Sequence, residues 1–200
     1  LAAFAFMVLV CAFSCALALL QNARALAFMA FAGGFATPLL LSSGGGSHVA
    51  LFSYFTLLNL AILFIAMRRA WRELNLLGFA ATFGTAGAWG WMRYGVEHYA
   101  SAQAFLIIFI AIFIATAILY ARATPLRLAW GTSRAVDSIL VFGTPLLGFG
   151  LQVGLVQPFQ YGEAFSALAF GAVYLVLAAL LLRRGAGYRV LAECFLALGV

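Results

Sequence analysis

The chain is a succession of apolar runs, each about long enough to cross a bilayer, and this pattern limits the fold more than any motif does. The runs are 1–20, 25–41, 49–67, 74–92, 104–121, 138–157 and 164–182, with an eighth beginning near 190. A spanning helix needs ~20 mostly apolar residues, with a range of about 17–25. Backbone polar groups in hydrocarbon have to pair within the segment, so such runs form helices. Nothing alternates with the period of two that a membrane barrel requires. The expected fold is therefore all-α, a polytopic transmembrane helical bundle of about eight spans with the last truncated.

Composition closes off the other classes. The chain is 66% hydrophobic and 8% charged, whereas a soluble domain is ~45–50% apolar and ~25% charged. Too little polar surface remains to cover a soluble enzyme, and the apolar content excludes a disordered region. The chain opens at Leu1 inside one run and closes at Val200 inside another, and reads as a single transmembrane helical domain, 1–200, excerpted from a longer chain. The opening run has no basic flank or small-residue cleavage site, so it reads as a span rather than a signal peptide.

The net charge of +6 has a definite distribution. All 11 basic residues are arginines, set singly or in short groups between the runs. They lack the clustering on a soluble face that nucleic-acid binding needs, so no nucleic-acid partner is expected. Alternate loops lie on opposite sides of a membrane. One set of loops holds Arg24; Arg68, Arg69 and Arg72; Arg122, Arg127 and Arg134; and Arg183, Arg184 and Arg189, while the other holds only Arg93. The positive-inside rule makes the first set cytoplasmic. Trp89, Trp91, Tyr94 and Tyr99 then mark the outer interface, and Trp71, Tyr120, Trp130 and Tyr188 the inner one. In the fifth loop, Leu126, Leu128 and Trp130 among three arginines suit the anionic inner leaflet. Asp137 is the expected N-cap of the sixth span, and Glu163 opens the seventh at the positive end of a helix dipole.

An internal repeat runs through this pattern. Phe35-Ala36-Thr37-Pro38-Leu39-Leu40 in the second span matches Phe142-Gly143-Thr144-Pro145-Leu146-Leu147 in the sixth, and each is followed by a span ending in a double arginine. The segments 25–72 and 138–186 form a parallel repeat. Thr37-Pro38 and Thr144-Pro145 are helix kinks, with the threonine expected to satisfy part of what proline leaves unpaired. Paired kinked helices are one design for lining a transport cavity; a packing kink is the plainer alternative. Gly150 and Gly154, the set Ala80, Gly84 and Ala88, and Gly33 with Gly34 are expected to let helices approach closely, within the chain or in a homo-oligomer.

Few side chains carry chemistry. His48, Glu97, His98 and Glu163, with Gln157 and Gln160, collect in the outer loops and are the candidates for a metal or acid–base site; solvated loop residues and helix caps are the plainer reading. No catalytic residue, cofactor or metal ligand set is implied, and the chain leans away from an enzyme. Asn59 and Gln152 are the polar residues deepest in spans, and each should bond to a partner helix or face a cavity. Glu193 should pair with Arg189 one turn earlier. Cys11, Cys15 and Cys194 are small apolar residues here.

The stretch Gly33-Gly34-Phe35-Ala36-Thr37-Pro38-Leu39-Leu40-Leu41-Ser42, with the glycine-rich turn and His48-Val49-Ala50-Leu51-Phe52, resembles the bacterial multi-spanning membrane proteins known as domain of unknown function 2339. So does Leu140-Val141-Phe142-Gly143-Thr144-Pro145-Leu146 with Gln152, and the resemblance extends over most of the chain, including the turn from Trp71 to Asn75. It implies a multi-pass bacterial inner-membrane protein with many more helices, often preceded by a soluble segment prone to coiled coil. It supplies no activity and no catalytic residues. The functional expectations are a non-enzymatic envelope or assembly module, a transporter or lipid-handling protein, or a membrane enzyme with an outer-face His/Glu site. The partners implied are the lipid bilayer and the remaining helices of the full-length chain.

Overall fold

The computed structural model describes residues 21–40, 47–69, 71–123, 132–184 and 188–199, together with Val10, Phe13 and Leu17. The regular elements among them are all helical: α1 (Arg24–Leu40), α2 (His48–Arg68), α3 (Arg72–Arg93), a single 3-10 turn (Val96–His98), α4 (Tyr99–Ala123), α5 (Thr132–Val156), α6 (Gly162–Leu182) and α7 (Arg189–Gly199). The first apolar run, Cys11 and Cys15, and the fifth-loop residues Leu126, Arg127, Leu128 and Trp130 lie outside the described residues.

Among the described residues, four stretches are long and apolar enough to cross a membrane: His48–Arg68, Val96–Ala121, Val136–Val156 and Gly162–Leu182. The chain is thus an all-α polytopic membrane protein. Helix α1 has 17 residues and α7 has 11, while α3 is diluted by Asn75, Thr82, Thr85 and four glycines.

Helix ends follow local chemistry. Ser47 is extended (φ −67°, ψ 126°) and starts α2, while Arg69, also extended, stops it. Arg68 in the last turn complements the negative end of the dipole, and its guanidinium lies 5.0 Å from the centre of the Phe64 ring. Apolar runs, however, are not helix limits. Helix α4 starts at Tyr99, well before the run at 104, because Ser101 and Gln103 are compatible with helix once they sit at the membrane interface. For the same reason α5 begins at Thr132, so Asp137 is not the N-cap; it lies inside the helix and is buried.

The chain divides into two compact units, Leu1–Thr82 and Phe83–Val200, with the division falling inside α3. In the first unit, α1 packs on α2 through Phe35 and Phe55, edge to face at 5.1 Å. Asn59 of α2 donates from Nδ2 to the Phe55 carbonyl at 2.9 Å and to Thr82 Oγ1 of α3 at 2.7 Å. This contact demands Gly78, where an added Cβ would stand 2.7 Å from Asn59 Oδ1 and 3.1 Å from Ile62 Cδ1.

The second unit joins α4, α5, α6 and α7 around a core that includes Ala117, Val141, Tyr174, Ala178, Leu191 and Phe195. Tyr174 and Phe195 meet edge to face at 5.3 Å, and Phe149 and Phe170 at 5.4 Å. Helices α4 and α5 approach closely at Gly148, where a Cβ would lie 2.9 Å from Ile110 Cδ1. The expected close-approach glycines are different ones: Gly33, Gly84, Gly150 and Gly154 have nothing within 4 Å of a built Cβ among the described residues. Spacing of small residues marks a smooth helix face, but which face meets a neighbour is set by the larger side chains around it.

Candidate functional site

One region of the second unit combines space with unsatisfied polarity. A cavity of about 590 Å³ lies among α4, α5 and α6 and the α5–α6 turn. Its walls are mainly apolar, from Ile107, Ile110, Ile114, Phe165, Phe170 and Val173, and no charged residue lines it. The volume is within the ~300–1,000 Å³ usual for small-molecule pockets.

Three polar side chains form a chain across its wall. Gln103 Nε2 donates to Gln152 Oε1 at 2.8 Å, and Gln152 Nε2 donates to Ser166 Oγ at 3.1 Å. The three helices supply them at one level. Gln103 is one turn after the start of α4, Gln152 one turn before the end of α5, and Ser166 one turn after the start of α6. Each is therefore ~6 Å inside its helix end, at 1.5 Å per residue. Gln152 is 5% exposed, and an amide so placed requires partners, which it has on both sides. Gln103 Oε1 and, deeper, Tyr174 Oη are buried with no hydrogen-bond partner.

The turn that closes this end is tightly built. Tyr161 takes a left-handed conformation (φ 62°) before α6, and the Tyr99 and Phe159 rings meet tilted at 59°, 4.7 Å between centres. Tyr94 donates from its hydroxyl to the Leu155 carbonyl at 2.7 Å, satisfying a group in the last turn of α5. Partial burial, then Tyr99 and the Glu97 carboxylate, raise the Tyr94 phenol above its ordinary range.

The His and Glu candidates are only partly assembled. Glu97 Oε1 and His98 Nε2 are 3.8 Å apart, and His98 lies 6.0 Å from the Trp89 ring. Glu163 is exposed in the first turn of α6. His48 starts α2 in the other unit, beside Phe52 at 6.3 Å. Among the described residues, no group of three or more His, Cys, Asp or Glu side chains is placed to hold a metal.

Asn59, Gln152 and the two Thr-Pro segments are placed more definitely. Asn59, 1% exposed, makes the interhelical bond to Thr82, and Gln152 both bonds to partner helices and lines the cavity. Arg189 Nε donates to Glu193 Oε1 at 3.1 Å. Both prolines sit inside helices. Thr37 donates to the Gly33 carbonyl at 2.7 Å and Thr144 to the Leu140 carbonyl at 2.6 Å. Those are not the carbonyls that proline leaves unpaired. Pro38 lacks the N–H that would reach Gly34, and the Gly34 carbonyl instead accepts the Tyr54 hydroxyl at 3.0 Å. The two Thr-Pro segments belong to different units.

Sequence reasoning passes over Gln103, Ser166, Tyr174 and Tyr54. Gln103 stands at the edge of an apolar run and reads as loop, although its four-residue spacing to Ile107 and Ala111 would have placed it on one helix face. The family described as predicted membrane protein, DUF2339, matches residues 1–200. No curated protein matches the chain, and no solved structure does.

Proposed function

The chain belongs to the DUF2339 family of predicted membrane proteins, and from that premise we propose that it is a non-enzymatic multi-pass module of the bacterial inner membrane, serving envelope assembly or maintenance, with its arginine-rich loops in the cytoplasm. The observation that carries the orientation is the distribution of arginine: ten of the 11 fall in alternate loops when the runs are counted as eight spans. Arg68, Arg69 and Arg72 flank the α2–α3 connection, and Arg183, Arg184 and Arg189 the α6–α7 connection. Its partners are the bilayer, the remaining helices of the full-length chain and a second copy. The exposed small faces Ala80, Gly84, Ala88 and Gly150, Gly154 suit either kind of helix contact.

Site-directed labelling tests the orientation. In a background lacking the native cysteines, Arg69→Cys and Arg184→Cys should resist a membrane-impermeant maleimide added to intact spheroplasts, while Glu163→Cys reacts. Reaction at residues 69 and 184 with protection at 163 reverses the orientation.

A second reading, lipid handling, is favoured by one observation. The cavity is mainly apolar, uncharged and reaches from the level of the helix ends to Tyr174. Only 22% of the apolar window of α6 is buried against the chain, against 50% for α4, so one wall is presented largely to lipid.

A further inference from the structure

We propose that the cavity among α4, α5 and α6 is a binding site for a neutral, hydroxyl-headed lipid, whose head group donates a hydrogen bond to Gln103 Oε1 while its tail lies along the wall toward Tyr174. This rests on the lipid-handling reading and adds the head-group class and the residue that reads it.

Three observations lead there. First, the polar groups at the outer end are arranged directionally. Gln103 gives its amide N–H to Gln152, and Gln152 gives its own to Ser166, so the free end of the chain is an acceptor, the buried Gln103 Oε1. A buried carbonyl oxygen without a donor is costly in a low-dielectric surround, and buried polar atoms are ordinarily satisfied. A ligand hydroxyl supplies the missing donor. Second, the lining holds no Arg, Lys, His, Asp or Glu. A phosphate or carboxylate head would enter without a countercharge, which disfavours anionic phospholipids and free fatty acids. Third, the walls suit a tail. Ile107, Ile110 and Ile114 of α4 face Phe170 and Val173 of α6 across the cavity. Tyr174 lies eight residues beyond Ser166 on α6, hence ~12 Å deeper at 1.5 Å per residue. Its hydroxyl is also buried without a partner although the residue is only 2% exposed. A buried hydroxyl is normally bonded, and this residue is part of the cavity's lining.

The test uses full-length protein in bilayers of phosphatidylethanolamine and phosphatidylglycerol, with a monoacylglycerol carrying a diazirine in its acyl chain as probe. Photolabelling should saturate, map to α4 and α6 around Ile114 and Val173, and be competed by unlabelled monoolein but not by lysophosphatidylglycerol. Gln103→Leu removes the acceptor and should lower labelling about fivefold, the loss expected for one hydrogen bond of ~1 kcal/mol. Ala169→Phe, on the lipid-exposed face of α6, should block labelling by filling the cavity, and thermal unfolding reports whether each variant remains folded. Equal competition by lysophosphatidylglycerol overturns the neutral-head assignment and leaves the lipid-handling reading standing. Absence of saturable labelling overturns both. Cross-links from Ala169→Cys to another helix of the same chain would show the cavity filled by protein and overturn both as well.

Discussion

At the scale of single residues, the informative feature is how a proline is accommodated inside a helix. Pro38 removes the N–H that would close on the Gly34 carbonyl, and Tyr54 from the neighbouring helix donates to that carbonyl instead. Thr37 adds a second donor one residue earlier, at Gly33. The carbonyl is therefore satisfied from outside its own helix, and α1 and α2 are coupled through an acceptor that the proline leaves free. Tyr54→Phe should cost about 1–2 kcal/mol, since it leaves a buried carbonyl unpaired. In a Pro38→Ala background the restored N–H competes for the same carbonyl, so the second cost should fall below about half of the first. Unfolding in mixed micelles, measured for the four proteins of the cycle, gives the coupling directly. Equal costs in both backgrounds would mean that the tyrosine acts by packing alone.

Helices and their contacts show how far sequence reaches. The apolar runs locate the helices well: the run 49–67 becomes His48–Arg68, and 164–182 becomes Gly162–Leu182. Hydrocarbon thickness and backbone satisfaction fix them, and both act on composition. Helix starts are less legible, because Ser101, Gln103, Ser133 and Asp137 continue a helix at the interface without belonging to an apolar run. The cavity is less legible still. Gln152 stands out as a lone amide in a span, but Gln103 and Ser166 acquire meaning only once three helices place them at one level. Close approach shows the same limit. The GxxxG pair Gly150 and Gly154 has open space, while Gly148, outside that pair, meets Ile110. Gly148→Ala should destabilise the protein by about 1–3 kcal/mol through overpacking, and Ile110→Val should recover part of that loss. A Tm for Gly148→Ala equal to that of the unmodified protein, alongside a lowered one for Gly150→Ala, would place the contact on the other helix face.

For the molecule as a whole, the proposed topology makes the arginines an instruction read during insertion rather than a feature of the finished packing. That instruction is carried by basic residues close to span ends and only weakly by acidic ones. The α2–α3 connection holds Arg68, Arg69 and Arg72, and the far end of α3 holds only Arg93. Replacing the three by glutamine, together with Glu97→Arg and His98→Arg, reverses the local bias while leaving the apolar runs intact. A reporter cysteine at Val96, which is exposed, should then change from accessible to substantially protected against an impermeant maleimide. A second reporter at Gln160 should stay accessible, because the arginines flanking α5 and α6 are unchanged. Substituting Glu73→Gln alone should leave both reporters as they were, since the rule counts positive residues and not net charge. If Val96→Cys labels equally in both proteins, the orientation of α3 is set by packing against its neighbours, and the arginine distribution is a consequence of topology without being its cause.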